Sequence, residues 1–458
     1  MKKIIIIIFI ILINNVYAQF PNTLSNTDKI YGLSKFWQEV NYNFVYLNKI
    51  DRKKWNNDYK NLITEVQETK NDFEYYLLLK KFCATLNDGH TYIFYPDAIN
   101  DNIYINDFGN YKLYISNIEG KAIITKINFS KKDEIPIGSE IIKVNGINTS
   151  EYIKDSILPY ISASTNFVRE DIATEKMFLG QKGKEYKIKI KLPNNKEKEL
   201  LLIHKETTET KLYPIEKKVG LMEFKKLKNN IVYIKINSFS NSSILKQFLD
   251  SLSLIKKANG LIIDLRENYG GNSSISKNLA QFLTTDTILN ETRNQCRQNI
   301  STYKAWGAYI KEKDTIKNHK NLMSYLSYRD EYFYKFPYEP YIIPKGNREY
   351  CIKKPTVILT GHSTASSAEN FLLYLDNQKN IVRFGEKTYG STGQPFVFTL
   401  PGGGYGQVCT KKVTYSDGRE FVGIGIIPHK EIKPTLSDFR NKYDRVLQEA
   451  VKYLLIKK

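Results

Sequence analysis

Val357-Ile358-Leu359-Thr360-Gly361-His362-Ser363-Thr364-Ala365-Ser366-Ser367-Ala368-Glu369-Asn370 is the stretch on which the fold turns. It opens with a β-branched apolar run and passes through a polar turn. Ala365, Ala368, Leu372 and Leu375 then recur on one helical face. A strand therefore feeds a helix through a short turn and carries a serine hydroxyl to the helix N-terminus. Free N–H groups and the helix dipole favour negative charge at that place. An oxyanion formed beside a nucleophile needs such a setting. A serine here also suits a plain N-cap, so the stretch alone leaves both readings open.

Two further segments narrow the choice. Gly260-Leu261-Ile262-Ile263-Asp264-Leu265-Arg266 reads as a buried strand, and Glu267-Asn268-Tyr269-Gly270-Gly271-Asn272 follows it. Ile275, Leu279 and Phe282 then mark a second amphipathic helix. Paired glycines between strand and helix let backbone N–H groups face a site with no side chain in the way. The third segment, Leu86-Asn87-Asp88-Gly89-His90-Thr91, supplies one of only five histidines, between a helix-like and a strand-like run.

Together these segments resemble the tail-specific (C-terminal-processing) serine peptidases, in their tricorn-like branch. The resemblance spans nearly the whole chain. It rests on Leu86 to His90, Tyr233 to Phe239, Asp264 to Gly271, Thr364 to Glu369, Gly385 to Pro395, the Gly425 to Pro428 run, and Asp444 with the helix after it. It implies that Ser366, three residues before the motif glutamate, is the nucleophile. The backbone N–H of Ser367 and one from the Gly270/Gly271 loop would form the oxyanion hole.

In the Ser–Lys branch a lysine base follows the nucleophile, but Ser391 stands at that position here, and Lys387 falls at a different point of the motif. The resemblance therefore points to His90 as the base. Imidazole titrates near neutral pH and can take the proton that makes a serine hydroxyl nucleophilic. Ser391 is expected to line the cleft from its turn. Two departures stand out. The tricorn-like branch has a serine just before the histidine, where this chain has Gly89, and His429 replaces an aspartate after the proline. Asp88 and Glu420 are the candidates to orient the imidazole.

The expected fold class is α/β. A crotonase- and ClpP-like peptidase core of strand–strand–helix units over 213–458 would carry an insertion at 291–355. A helical cap over 19–104 would deliver His90. Residues 105–212 would form a PDZ-like β-rich domain, after the Ile137 to Gly146 hairpin with its Asn145-Gly146 turn. Residues 1–18 read as a secretory signal peptide: Lys2 and Lys3, an apolar run from Ile4 to Ile13, then Val16-Tyr17-Ala18. Export to the periplasm or beyond follows, with no stable membrane insertion after cleavage. The insertion, rich in Tyr and Lys, offers a roof for the cleft.

The formal net charge is +20, but its lysines are spread along the chain and no nucleic-acid-binding motif accompanies them. The expected partner is a peptide or protein substrate, not nucleic acid. Cys83, Cys296, Cys351 and Cys409 match no metal-ligand spacing, and the chemistry asks for no cofactor and no metal. A lipase is disfavoured because no candidate nucleophile sits in Gly-x-Ser-x-Gly. The rival function is a catalytically inactive peptidase fold that binds peptide, hydrophobic or glycan ligands.

Overall fold

The computed structural model describes residues 20–215 and 220–457, so the signal peptide expected over 1–18 lies outside the described residues. A six-stranded sheet forms the centre. Its order is Met222–Leu227, Ile231–Ile236, Gly260–Asp264, Thr356–Thr360, Ile381–Gly385 and Lys430–Glu431. The first pair is antiparallel and the other neighbours run parallel.

Every residue of Gly260–Asp264 and of Thr356–Thr360 is buried. Continuous apolar runs of this kind belong to parallel strands covered on both faces. Side chains alternate between those faces. Leu261, Ile263 and Ile358 join the larger core with Leu279 and Phe371. Ile262, Val357 and Leu359 join the other core with Val446 and Leu454 of the last helix.

The larger core also takes in Leu33, Phe36, Val40 and Phe44 from the first helix and its end. The N-terminal helices are thus packed on the central sheet through shared side chains. Residues 105–212 differ. Their antiparallel sheet runs Glu197–Ile203, Glu185–Lys191, Glu140–Val144, Lys121–Asn128, Tyr111–Ile118, Asp107–Phe108. Phe108, Ile115, Ile124, Val144, Tyr186 and Leu202 give it a core of its own.

The insertion does not roof the cleft. Its strand Arg293–Arg297 pairs with Lys411–Thr414 and with Phe333–Lys335. Arg297 donates to the Asn41 carbonyl (2.7 Å), and Arg52 pairs with Asp330 (3.1 Å). These bonds turn the insertion toward the N-terminal helices, and no residue of 291–355 lines the cleft. All four cysteines are free thiols. No helix among the described residues is long and apolar enough to cross a membrane.

Candidate active site

In an open parallel sheet, sites form beyond the carboxyl ends of the strands. The turns after Gly260–Asp264 and Thr356–Thr360 meet there. Ser366 is the residue just before the Ser367–Tyr374 helix, at φ 55° and ψ −120°. A serine with positive φ is held against its own preference, and such strain persists only where the surroundings over-determine it.

The surroundings are visible. Ser366 N–H donates to Glu369 Oε2 (3.2 Å) and to the Ser391 carbonyl (3.1 Å). Ala365 N–H donates to the Asn268 carbonyl (3.0 Å), and Thr364 Oγ1 to the Leu265 carbonyl (2.8 Å). The Ser366 turn is thereby stitched to the glycine loop.

Gly270 has φ 102° and Gly271 φ 140°. A Cβ on Gly270 would lie 2.8 Å from Ser366 Cβ and 3.0 Å from Ser367 N. Only glycine at 270 leaves that amide uncovered. The Gly270 N–H itself is engaged, donating to Asn268 Oδ1 (2.8 Å). The N–H groups of Ser367 and Gly271 have no hydrogen-bond acceptor among the described residues. Asn268, fully buried, also donates through Nδ2 to the Ile236 carbonyl (3.0 Å), which fixes the loop to the sheet.

His90 follows the Asp72–Ala84 helix and precedes the strand Tyr92–Phe94, which pairs with Tyr405–Cys409. Its carbonyl accepts from Gln407 Nε2 (3.1 Å). Its ring Nδ1 lies 2.6 Å from Ser391 Oγ. Ser366 and His90 line one cleft of about 1260 Å³, with Tyr92, Tyr269, Ile172 and Tyr389 among its walls. No hydrogen bond joins Ser366 Oγ to the imidazole among the described residues.

The two acids expected to orient the ring are placed otherwise. Asp88 is buried and accepts from the His90 backbone N–H (3.1 Å) and Thr91 Oγ1 (2.6 Å), so it braces the loop and not the ring nitrogens. Glu420 is exposed and paired with Lys49 (2.8 Å) and Lys412. Burial pushes the His90 pKa below its ordinary 6.5; the nearby Asp88 carboxylate opposes that and Lys411 adds to it. Burial likewise raises Asp88, against the pull of His90 and Thr91. His90 is thus biased toward the neutral imidazole, the form a base requires.

Glu369 organises the whole turn. Fully buried, it accepts from Thr388 Oγ1 (2.5 Å) and from the N–H groups of Gly390 (2.7 Å), Ser391 (3.1 Å) and Ser366. Burial pushes its carboxyl up to about 8 in spite of those donors. The motif that contains Glu369 was legible in the sequence, but its partners were not. His362 was overlooked as well. It packs against Phe167 at a tilt of 33° and bonds Asp171 (2.5 Å), with Glu386 at 3.7 Å, joining the Ser366 turn to the 105–212 unit.

The remaining motif residues hold the frame. Tyr233 Oη donates to Asp264 (2.8 Å), and Arg266 bridges Asp264 and Asp444 (2.6 and 2.7 Å). His429, the other departure, accepts the Arg383 N–H on Nδ1 (2.9 Å). No group of three or more His, Cys, Asp or Glu that could hold a metal ion occurs among the described residues.

Residues 230–432 match the model of peptidase family S41. The carboxy-terminal processing protease CtpA of Bacillus subtilis (strain 168) is 26% identical over 213 residues. That alignment takes in 46% of this chain but only 36% of the relative, about a third of its length. The crystal structure of mature CPAF superposes with a TM-score of 0.68 at 16% identity, over 94% of this chain and 96% of that one. Mature CPAF complexed with lactacystin gives 0.67 at 15% identity, over 94% and 98%. At such identity the likeness carries the fold, and it does so along almost the full chain. The unit that holds the glycine loop, Ser366, Glu369 and Ser391 is thus the part of the chain that is similar to peptidase family S41.

Proposed function

We propose that the chain is an exported serine endopeptidase that cleaves peptide bonds through an acyl-enzyme. Ser366 Oγ adds to the substrate carbonyl carbon while His90 takes its proton. The N–H groups of Ser367 and Gly271 receive the oxyanion. Of the two loop glycines, Gly271 is preferred because the Gly270 N–H already serves Asn268. The tetrahedral adduct collapses, the C–N bond breaks, and His90 returns the proton to the leaving amine. Water then repeats the sequence on the ester, releasing the acid and restoring Ser366.

The observation that supports this best is the strained Ser366 at a helix N-terminus, opening on the same cleft as a histidine biased to be neutral. The 105–212 unit supplies part of that cleft and is read as the PDZ-like domain, guiding an extended peptide to the serine. A fluorophosphonate probe on the mature protein is expected to label Ser366, with labelling lost in Ser366→Ala and strongly slowed in His90→Ala.

One observation favours the binding-protein alternative: the missing hydrogen bond between Ser366 and His90. Such bonds are often long in free enzymes and tighten on substrate. A folded protein that binds unstructured peptides yet resists the probe from pH 5 to pH 9 would establish that alternative and end the peptidase reading.

A further inference from the structure

Gly89 and Ser391 occupy one place. A Cβ built on Gly89 would meet Ser391 Oγ at 2.8 Å and Ser391 Cβ at 2.9 Å. The residue before His90 therefore has no side chain, and the space it would take is filled by a serine that lies 301 residues beyond His90. That serine is fully buried, and its hydroxyl lies 2.6 Å from His90 Nδ1. Its backbone is committed at both ends: the N–H donates to Glu369, and the carbonyl accepts the N–H of Ser366 (3.1 Å). One residue thus touches the backbone of the nucleophile and the ring of the base.

We propose that Ser391 is a positioning residue, which fixes the orientation and tautomer of His90 and ties it to the Ser366 turn. The inference rests on the Ser366–His90 reading. For His90 Nε2 to accept a proton from Ser366, Nδ1 must carry the hydrogen and donate it. Ser391 Oγ is the acceptor within reach. Asp88 binds the backbone of His90, and Glu420 is held by two lysines. The hydroxyl thereby takes the part that a carboxylate plays in other serine hydrolases, but without a charge. It keeps the lone pair of Nε2 turned to the cleft and accepts from the imidazolium once that forms.

The test compares Ser391→Ala with wild type in kcat and KM on one peptide, across pH. Ser391→Ala is expected to lower kcat about ten- to a hundredfold, the loss of one hydrogen bond to a group that becomes charged, with KM within about twofold. The acid limb should also move to lower pH, because an acceptor that stabilised the imidazolium is gone. Asp88 and Lys411, the charged groups facing His90, stay in place, so the limb reports Ser391 alone.

An unchanged kcat, or a lower kcat with an unmoved acid limb, overturns the proposal: the second outcome marks a merely structural role. The pair Gly89→Ser with Ser391→Gly restores a hydroxyl to the vacated space from the neighbouring position. Its activity is expected to exceed that of Ser391→Gly alone, and failure to do so in a folded protein overturns the shared place. Tyr389 Cε1, 2.7 Å from the new Cβ, must shift to allow it; if that variant does not fold, Ser391→Ala decides. Failure of the underlying reading looks different, since His90→Ala would then match wild type.

Discussion

Ser366 and His90 face one cleft but are held by different means. The serine sits in a turn whose backbone is bonded at Thr364, Ala365, Ser366, Gly390 and Ser391, with buried Glu369 and Asn268 as the hubs. The histidine has a braced backbone, but among the described residues its ring has one hydrogen bond, to the Ser391 hydroxyl. The proposed nucleophile is fixed by a network in which no single bond decides the geometry. The proposed base depends on one contact, and so its position is more easily altered by a single substitution.

The largest expected effects are common to both sides. Ser366→Ala and His90→Ala should each lower kcat/KM by about a thousandfold or more, measured on one peptide with circular dichroism to confirm folding. If either retains activity within tenfold of wild type, the division into nucleophile and base fails.

Glu369→Gln addresses the network. Above about pH 8, where Glu369 is ionised, its carboxylate accepts on both oxygens and an amide can do so on only one, so at that pH at least one buried N–H loses its partner. The variant should lose about 1–3 kcal/mol in urea denaturation, with activity falling alongside. Unchanged stability would mean that the turn does not depend on its buried acid.

The pH profile addresses the base. His90 has a lowered pKa, so the neutral imidazole persists below the ordinary value of 6.5. The acid limb of kcat/KM should therefore fall below pH 6.5. A limb at or above that value would mean that the Asp88 charge outweighs burial at His90.

The smallest effect is at the seam between the units. Burial lowers the His362 pKa, but the Asp171 bond and the Glu386 and Asp171 charges outweigh it and raise the value above 6.5. A raised folded-state pKa gives stability that is fully present below the unfolded value and is lost as pH rises through the folded one. His362→Gln should therefore destabilise by about 1 kcal/mol at pH 6 and converge with wild type at alkaline pH. Equal loss at both ends of the range would assign His362 a packing role on Phe167 and nothing electrostatic.

The same contrast explains what was legible in the sequence. The strands Gly260–Asp264 and Thr356–Thr360, and the turns and helices after them, follow from apolar runs, glycine pairs and small polar residues read over about fifteen positions. The Ser366 side is built from such local units, and Gly270 and Ser366 stand where those units end. The environment of His90 is assembled by tertiary contact. Nothing near residue 89 indicates that Ser391 fills its place, and nothing near 420 indicates that two lysines occupy Glu420. The insertion illustrates the same limit: its weak periodicity said little, and its direction was set by Arg297 and Asp330.

On the proposed function, the cleft of about 1260 Å³ has a consequence for which substrates could reach Ser366. That space accommodates a short extended segment and excludes a folded domain. A target must therefore offer a frayed end or open locally before Ser366 can reach it. Its lifetime would then follow its own local opening free energy, so that each 1.4 kcal/mol of added stability slows cleavage about tenfold while opening is fast and reversible. On the proposed function, the shape of the cleft would make the protein a sensor of conformational stability as well as a reader of sequence.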